Sequence, residues 1–179
     1  MPRVVLGVSG SVAAHRALDI ASDLTKRGIE VDAVMTRGAQ EFLRPLAFEA
    51  ITRRPVTTSV FGDGSGGAYA HLRLATEADV LVVAPASVNA ISRLAHGLCD
   101  DALSTVAYSF DGPRIIAPAM NPRMWANPLT GRHLLTLTQL GWSVVPPVSG
   151  DVACGDHGIG RLAPVPDILA AIDSALSRR

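Results

Sequence analysis

The chain has 179 residues, 48% hydrophobic and 18% charged, with a formal net charge of zero. That balance describes one globular domain spanning 1–179 with enough apolar residues for a sizeable core. It excludes the basic excess of a nucleic-acid or anionic-membrane binder, since Lys26-Arg27 and Arg53-Arg54 are isolated pairs balanced by acids. The apolar run Val80–Ala86 falls far short of the roughly 20 residues a spanning helix needs, and the N-terminus enters a strand pattern without a signal peptide. Cys99 and Cys154 suit a reducing compartment, so a cytoplasmic protein is expected. Of the 16 basic residues only Lys26 is lysine, a usage expected of a high-GC bacterial genome.

In chain order, Val4–Val8 reads as a β-branched strand, Ser9-Gly10-Ser11 as a turn, and about Ala13 to Arg27 as an amphipathic helix ended by Gly28. Ile29–Met35 alternates as a second strand, and short helical stretches follow at Ala39–Leu43 and Leu46–Arg53. Phe61–Ala70, with four glycines, is expected to be the least ordered segment. Val80–Ala84 is a buried strand, followed by helices at Val88–Ala95 and Asp101–Tyr108, a strand at Arg114–Ala117, a helix at Thr130–Leu140, a strand at Trp142–Val145 and a helix at Val165–Ser177. This alternation predicts a three-layer α/β fold with a doubly wound parallel sheet.

Ligands of such sheets bind beyond the carboxyl ends of the strands, where four segments carry chemistry. Gly7–Ala14 joins a hydroxyl and free backbone N–H groups to a helix N-terminus, a ready phosphate site. It lacks the full dinucleotide glycine fingerprint and the Lys-Ser/Thr ending of a triphosphate loop. A mononucleotide or other phosphate therefore fits better, the alternative being an ordinary strand-to-helix turn. Thr36-Arg37-Gly38 could also hold phosphate or serve simply as a helix entry. In Pro85–Ala90, Ser87 and Asn89 can cap a helix or hydrogen-bond a ring. Pro118–Trp125 offers two stiffening prolines, the Asn121 amide, and Met124-Trp125 as a wall against water.

These residues carry a resemblance. Pro85-Ala-Ser-Val-Asn-Ala90 resembles the Pro-Ala-Ser-Ala-Asn-Thr motif of the homo-oligomeric flavin-containing cysteine decarboxylases, and Pro118–Trp125 resembles their Pro-x-Met-Asn-x-x-Met-Trp motif. The early Gly-Ser-Val-Ala-Ala, the His-Leu-x-Leu-x-x-x-Ala-Asp run from His71 and Ala153-Cys154-Gly155-Asp156 extend the likeness over nearly the whole chain. Relatives include phosphopantothenoylcysteine decarboxylases of coenzyme A synthesis and enzymes that decarboxylate the C-terminal cysteine of ribosomal peptides.

The resemblance implies a flavodoxin-like, Rossmann-like sheet binding FMN, in trimers or tetramers of trimers with sites between subunits. It places Ser11, Val12, Ala13, Thr36, Arg37, Gly38, Ser87, Val88, Asn89, Ala90 and Ala119 around the flavin. The cysteine side chain would first be oxidised toward a thioaldehyde, whose C=S accepts the electrons released with CO2. His71 would be the base assisting that oxidation, and Asn121 would hold the departing carboxylate. Met124, Arg16 and the clamp residues Asp151, Val152 and Ala153 would contact substrate, with Cys154 as proton donor. No metal is implied. Cys99, at a helix end, is expected to be packing.

Substrate choice is divided. The clamp at Gly150–Asp156 resembles the coenzyme A branch, whereas Thr76 and Glu77 replace the Lys/Arg-Trp pair common there, and Ala90 replaces a threonine. A free-standing single domain is also expected, whereas most bacterial coenzyme A enzymes of this kind are fused to a synthetase. A peptide C-terminal cysteine is therefore placed narrowly ahead of phosphopantothenoylcysteine. The third reading is a non-catalytic FMN-binding regulator or electron carrier, against which stand His71, Asn121 and Cys154 together.

Overall fold

A computed structural model describes residues 1–61, 69–151, 153 and 155–178. Aliphatic, β-branched runs form five parallel strands: β1 (Arg3–Val8), β2 (Glu30–Met35), β3 (Val80–Ala86), β4 (Arg114–Pro118) and β5 (Trp142–Val144). Their order is β2-β1-β3-β4-β5, the flavodoxin-like arrangement whose switch point lies between β1 and β3. Every residue of β3 is buried, as expected of a central strand covered on both faces.

Side-chain alternation divides the core in two. Val4, Leu6 and Val8 of β1 face the layer containing α1 (Arg16–Lys26) and α9 (Val165–Leu176), where Ile20, Leu24, Ile168 and Ile172 are buried. Val5, Leu81, Val83 and Ile116 face the other layer: α4 (Ala70–Glu77), α5 (Val88–His96), α6 (Ala102–Ser109) and α8 (Pro128–Gln139). Burying each large aliphatic side chain contributes about 1.5–3 kcal/mol against the entropy of ordering the chain. At the amino-terminal edge of the sheet the carboxylate of Asp32, 2% exposed, accepts from Arg3 Nε at 2.5 Å and Arg54 Nε at 2.8 Å. That closes the end opposite the ligand loops with a paired charge.

Several boundaries and elements differ from the sequence expectation. The first helix begins as a 3-10 turn over Val12–His15, with Ser11 capping it, before α1 proper. The stretch expected at Ala39–Leu43 is the shorter α2 (Arg37–Gln40), and α3 occupies Pro45–Thr52. His71 lies on α4, a helix the sequence did not announce because its N-cap, Tyr69, makes no side-chain capping bond. A four-residue helix, α7 (Pro122–Trp125), starts on Pro122. The hairpin β6 (Val148–Asp151) and β7 (His157–Arg161) forms a separate antiparallel pair. Cys99 is exposed rather than packed, because Gly97, at φ 68°, ends α5 in the left-handed region and turns the chain outward. Most of Phe61–Ala70, residues 62–68, lies outside the described residues.

Candidate active site

The loops after β1 and β3 are joined by Ser9, which is 1% exposed. Its hydroxyl donates to the Pro85 carbonyl at 2.7 Å and accepts from the Ser87 N–H at 2.7 Å. One side chain thereby fixes the two sides of the switch point relative to each other. Ser11, Thr36 and Ser87 then cap the helices after β1, β2 and β3, their hydroxyls accepting from the N–H groups of Ala13, Ala39 and Ala90. Among the described residues no acceptor takes these hydroxyl protons, which leaves them to a ligand.

A cavity of about 830 Å³ opens over these loops, within the roughly 300–1,000 Å³ of small-molecule sites. It brings together Ser11, Val12, Ala13 and Arg16, then Ser87 and Val88, then Ala119, Asn121 and Met124 after β4. Asp151 and Ala153 of the hairpin form its far wall. Of the other expected flavin residues, Thr36, Arg37, Gly38, Asn89 and the buried Ala90 do not line it, although Gly38 backs directly onto Gly10, which does. Phe42, just after α2, and the segment from Gly160 to Pro166, in the hairpin's return strand and the turn into α9, also line the cavity, contributions the sequence did not signal. Val152 and Cys154 lie outside the described residues.

Asn121 sits at the N-cap of α7 with both ends of its amide engaged. Its Oδ1 accepts from the Arg123 N–H at 2.7 Å, and its Nδ2 donates to Asp156 Oδ2 at 2.9 Å. The hairpin reaches this loop through backbone contact: the Met120 N–H donates to the Gly160 carbonyl at 2.9 Å. A Cβ on Gly160 would stand 2.3 Å from the Met120 oxygen, so only glycine permits the approach. Charge in the cavity is mixed. Arg16 pairs with Asp19 at 3.2 Å, Asp151 faces His157 Nδ1 at 2.9 Å, and Arg161 lies along Gly150, whose Cβ would stand 3.3 Å from its Cδ.

His71 does not line the cavity. Its Nδ1 is buried and has no hydrogen-bond partner among the described residues, and Tyr69 and Leu72 beside it expose 73% and 47% of their surface. Among the described residues no group of three or more His, Cys, Asp or Glu could hold a metal ion, and no helix is long and apolar enough to cross a membrane.

The residues present fit a flavin mononucleotide: capped helix N-termini suited to a phosphate, a glycine contact that brings the loops after β1 and β2 together, and a cavity of sufficient volume. The flavoprotein family model matches residues 1–177. The chain is 37% identical over 176 residues to a probable phosphopantothenoylcysteine decarboxylase of Streptococcus mutans serotype c, across 97% of this chain and 98% of that one. A cysteine-to-serine mutant of PPC decarboxylase, complexed with pantothenoylaminoethenethiol, has a TM-score of 0.84 at 37% identity over 97% of each chain. The FMN-dependent cysteine decarboxylase SpaF has a TM-score of 0.84 at 32% identity, over 99% of this chain and 97% of that one. The chain belongs to the flavin-containing cysteine decarboxylase family, whose cofactor is FMN.

Proposed function

We propose that the protein decarboxylates phosphopantothenoylcysteine to phosphopantetheine, the coenzyme A branch of the family, as a unit spanning 1–179. The observation that carries this is the likeness to a similarly named relative over nearly the full length of both chains. The structural likeness to PPC decarboxylase agrees with it. This replaces the narrow preference for a peptide substrate. That preference leaned on Thr76 and Glu77 in place of a Lys/Arg-Trp pair and on Ala90, whereas the Streptococcus relative, almost fully covered by this chain, carries the phosphopantothenoylcysteine name.

Bound FMN would supply a two-electron acceptor next to the substrate thiol and would give the same electron pair back in the final reduction. Ser11, Val12, Ala13, Ser87, Val88 and Ala119 would hold it from the cavity side, with Thr36, Arg37, Gly38, Asn89 and Ala90 supporting the same loops. Asn121 would grip the carboxylate through an amide N–H, keeping it aligned as its C–C bond breaks. Met124 would exclude water beside it, and Ala153, with Asp151 and Val152, would cover the chain of the substrate. Arg16 and Arg161 are the cations available to its anionic end, a role Thr76 no longer fills. Cys154 would return a proton to the enethiol carbon so that reduction gives the saturated thiol. The solved cysteine-to-serine relative, holding an aminoethenethiol, supports a cysteine in that step.

His71 would take the thiol proton from across a subunit boundary in a trimer or a tetramer of trimers. Its absence from its own chain's cavity, its buried Nδ1 without a partner among the described residues, and the exposed Tyr69 and Leu72 support that placement. The reading is tested by incubating FMN-loaded protein with phosphopantothenoylcysteine and following the mass of the product. Loss of one CO2 is expected. Unchanged substrate, with turnover of a peptide ending in cysteine, would contradict it.

A further inference from the structure

We propose that Ser9 is a positioning residue that pins together the two halves of the cofactor site and so sets the span between the phosphate and the ring of bound FMN. The inference rests on the FMN site described above, with the phosphate at the loop after β1 and the ring at the loop after β3. The parallel ladder between β1 and β3 ends at Gly7 and Val83, short of both loops. Beyond it Ser9, 1% exposed, makes the connection. Its N–H and its hydroxyl donate to the Pro85 carbonyl at 3.2 and 2.7 Å, and its oxygen accepts from the Ser87 N–H at 2.7 Å. Among the described residues, Ser9 makes every hydrogen bond between segments 9–14 and 85–90.

Each loop is otherwise held to its outer neighbour. The Thr36 N–H donates to the Val8 carbonyl at 3.0 Å, and Gly10 lies backbone to backbone against Gly38, which ties the loop after β1 to that after β2. The Ala119 N–H donates to the Ala86 carbonyl at 3.0 Å, which ties the loop after β3 to that after β4. The site is therefore two halves meeting at the switch point, with Ser11 lining the cavity from one and Ser87, Val88 and Ala119 from the other. A ligand that reaches across gains from both halves only while their span is fixed, because binding at one end then presents the other at high effective concentration. A ligand confined to one half gains nothing from the pin. Ser9→Ala removes two of the three bonds and leaves the Ser87 N–H without its acceptor, so the halves loosen against each other while each stays intact.

The test titrates the full chain, freed of flavin, with FMN and with riboflavin, which carries the same ring and ribityl chain without the phosphate. Flavin fluorescence reads both affinities. Wild type should prefer FMN by about tenfold or more. In Ser9→Ala, FMN should bind about tenfold more weakly and riboflavin within about twofold of wild type, so that the preference falls by about fivefold or more. Ser9→Cys, which keeps the shape but weakens both hydroxyl bonds, should show the same selective loss in smaller measure, and decides the matter if Ser9→Ala does not fold. A variant that keeps the full preference, or that weakens both flavins equally as a general loosening would, overturns the inference. If wild type binds both flavins equally, the placement of the phosphate falls and the inference with it, while the decarboxylation reading stands or falls on its own product assay.

Discussion

Gly10 and Gly38 meet backbone to backbone: a Cβ on Gly10 would stand 3.0 Å from the Gly38 carbonyl carbon and 3.1 Å from its oxygen. The contact joins the loop after β1, which lines the cavity, to the entry of α2 after β2, which does not. Gly10→Ala must push these loops apart, because the obstructing atoms are backbone and cannot turn aside. Overpacking of this kind costs about 1–3 kcal/mol. FMN affinity is expected to fall roughly tenfold or more while the fold persists, read by fluorescence titration of the apoprotein with FMN.

Separation of His71 from the cavity of its own chain predicts complementation between subunits. His71→Gln and Asn121→Ala should each lower kcat/KM by about a hundredfold or more. After mixing under conditions that exchange subunits, mixed assemblies of the proposed oligomer should regain a measurable fraction of wild-type activity, because an intact His71 and an intact Asn121 would meet at some boundaries. No recovery, with exchange verified by mass spectrometry, would place both groups in one chain.

A proton-donating Cys154 makes a specific product prediction. Cys154→Ser should still release CO2 and accumulate the enethiol, lighter by two hydrogens than the saturated thiol. The serine hydroxyl is a far weaker acid than a thiol, so the final protonation stalls before loss of CO2 is affected. Mass spectrometry of the product distinguishes the two, and a saturated product at the wild-type rate would remove Cys154 from this step.

His133 on α8 lies edge to face with His96 on α5, ring centroids 4.8 Å apart at 78°. Desolvation first, then the repulsion of His96 and Arg132, lowers the His133 pKa from 6.5. The unfolded chain therefore takes up this proton before the folded one, and the pair costs stability as pH falls from 6.5 through the folded midpoint. NMR titration should find the His133 midpoint below 6.5, and His96→Gln should raise it by removing the like charge.

The sheet was legible because Val4–Val8, Val80–Ala84 and Arg114–Ala117 are apolar runs of strand length, and their order with the intervening helices leaves few topologies. The hairpin was not, because the glycines that let β7 approach Met120 and Pro122 erase the alternation by which a strand is recognised. Ser9 looked like an ordinary turn residue, and its partners lie 76 and 78 positions away. In the site, the motif residues Ser11, Ser87, Ala119 and Asn121 line one cavity. Asp156 was visible only as part of a motif, since its hydrogen bond to Asn121 spans 35 positions.

The central claim is tested most directly by competition. FMN-loaded protein is given an equimolar mixture of phosphopantothenoylcysteine and a peptide ending in cysteine, and both products are followed by mass spectrometry in the same sample. The account predicts that phosphopantothenoylcysteine loses one CO2 and becomes the saturated thiol while the peptide stays intact. Conversion of the peptide to an aminoenethiol, with phosphopantothenoylcysteine left unchanged, would contradict it.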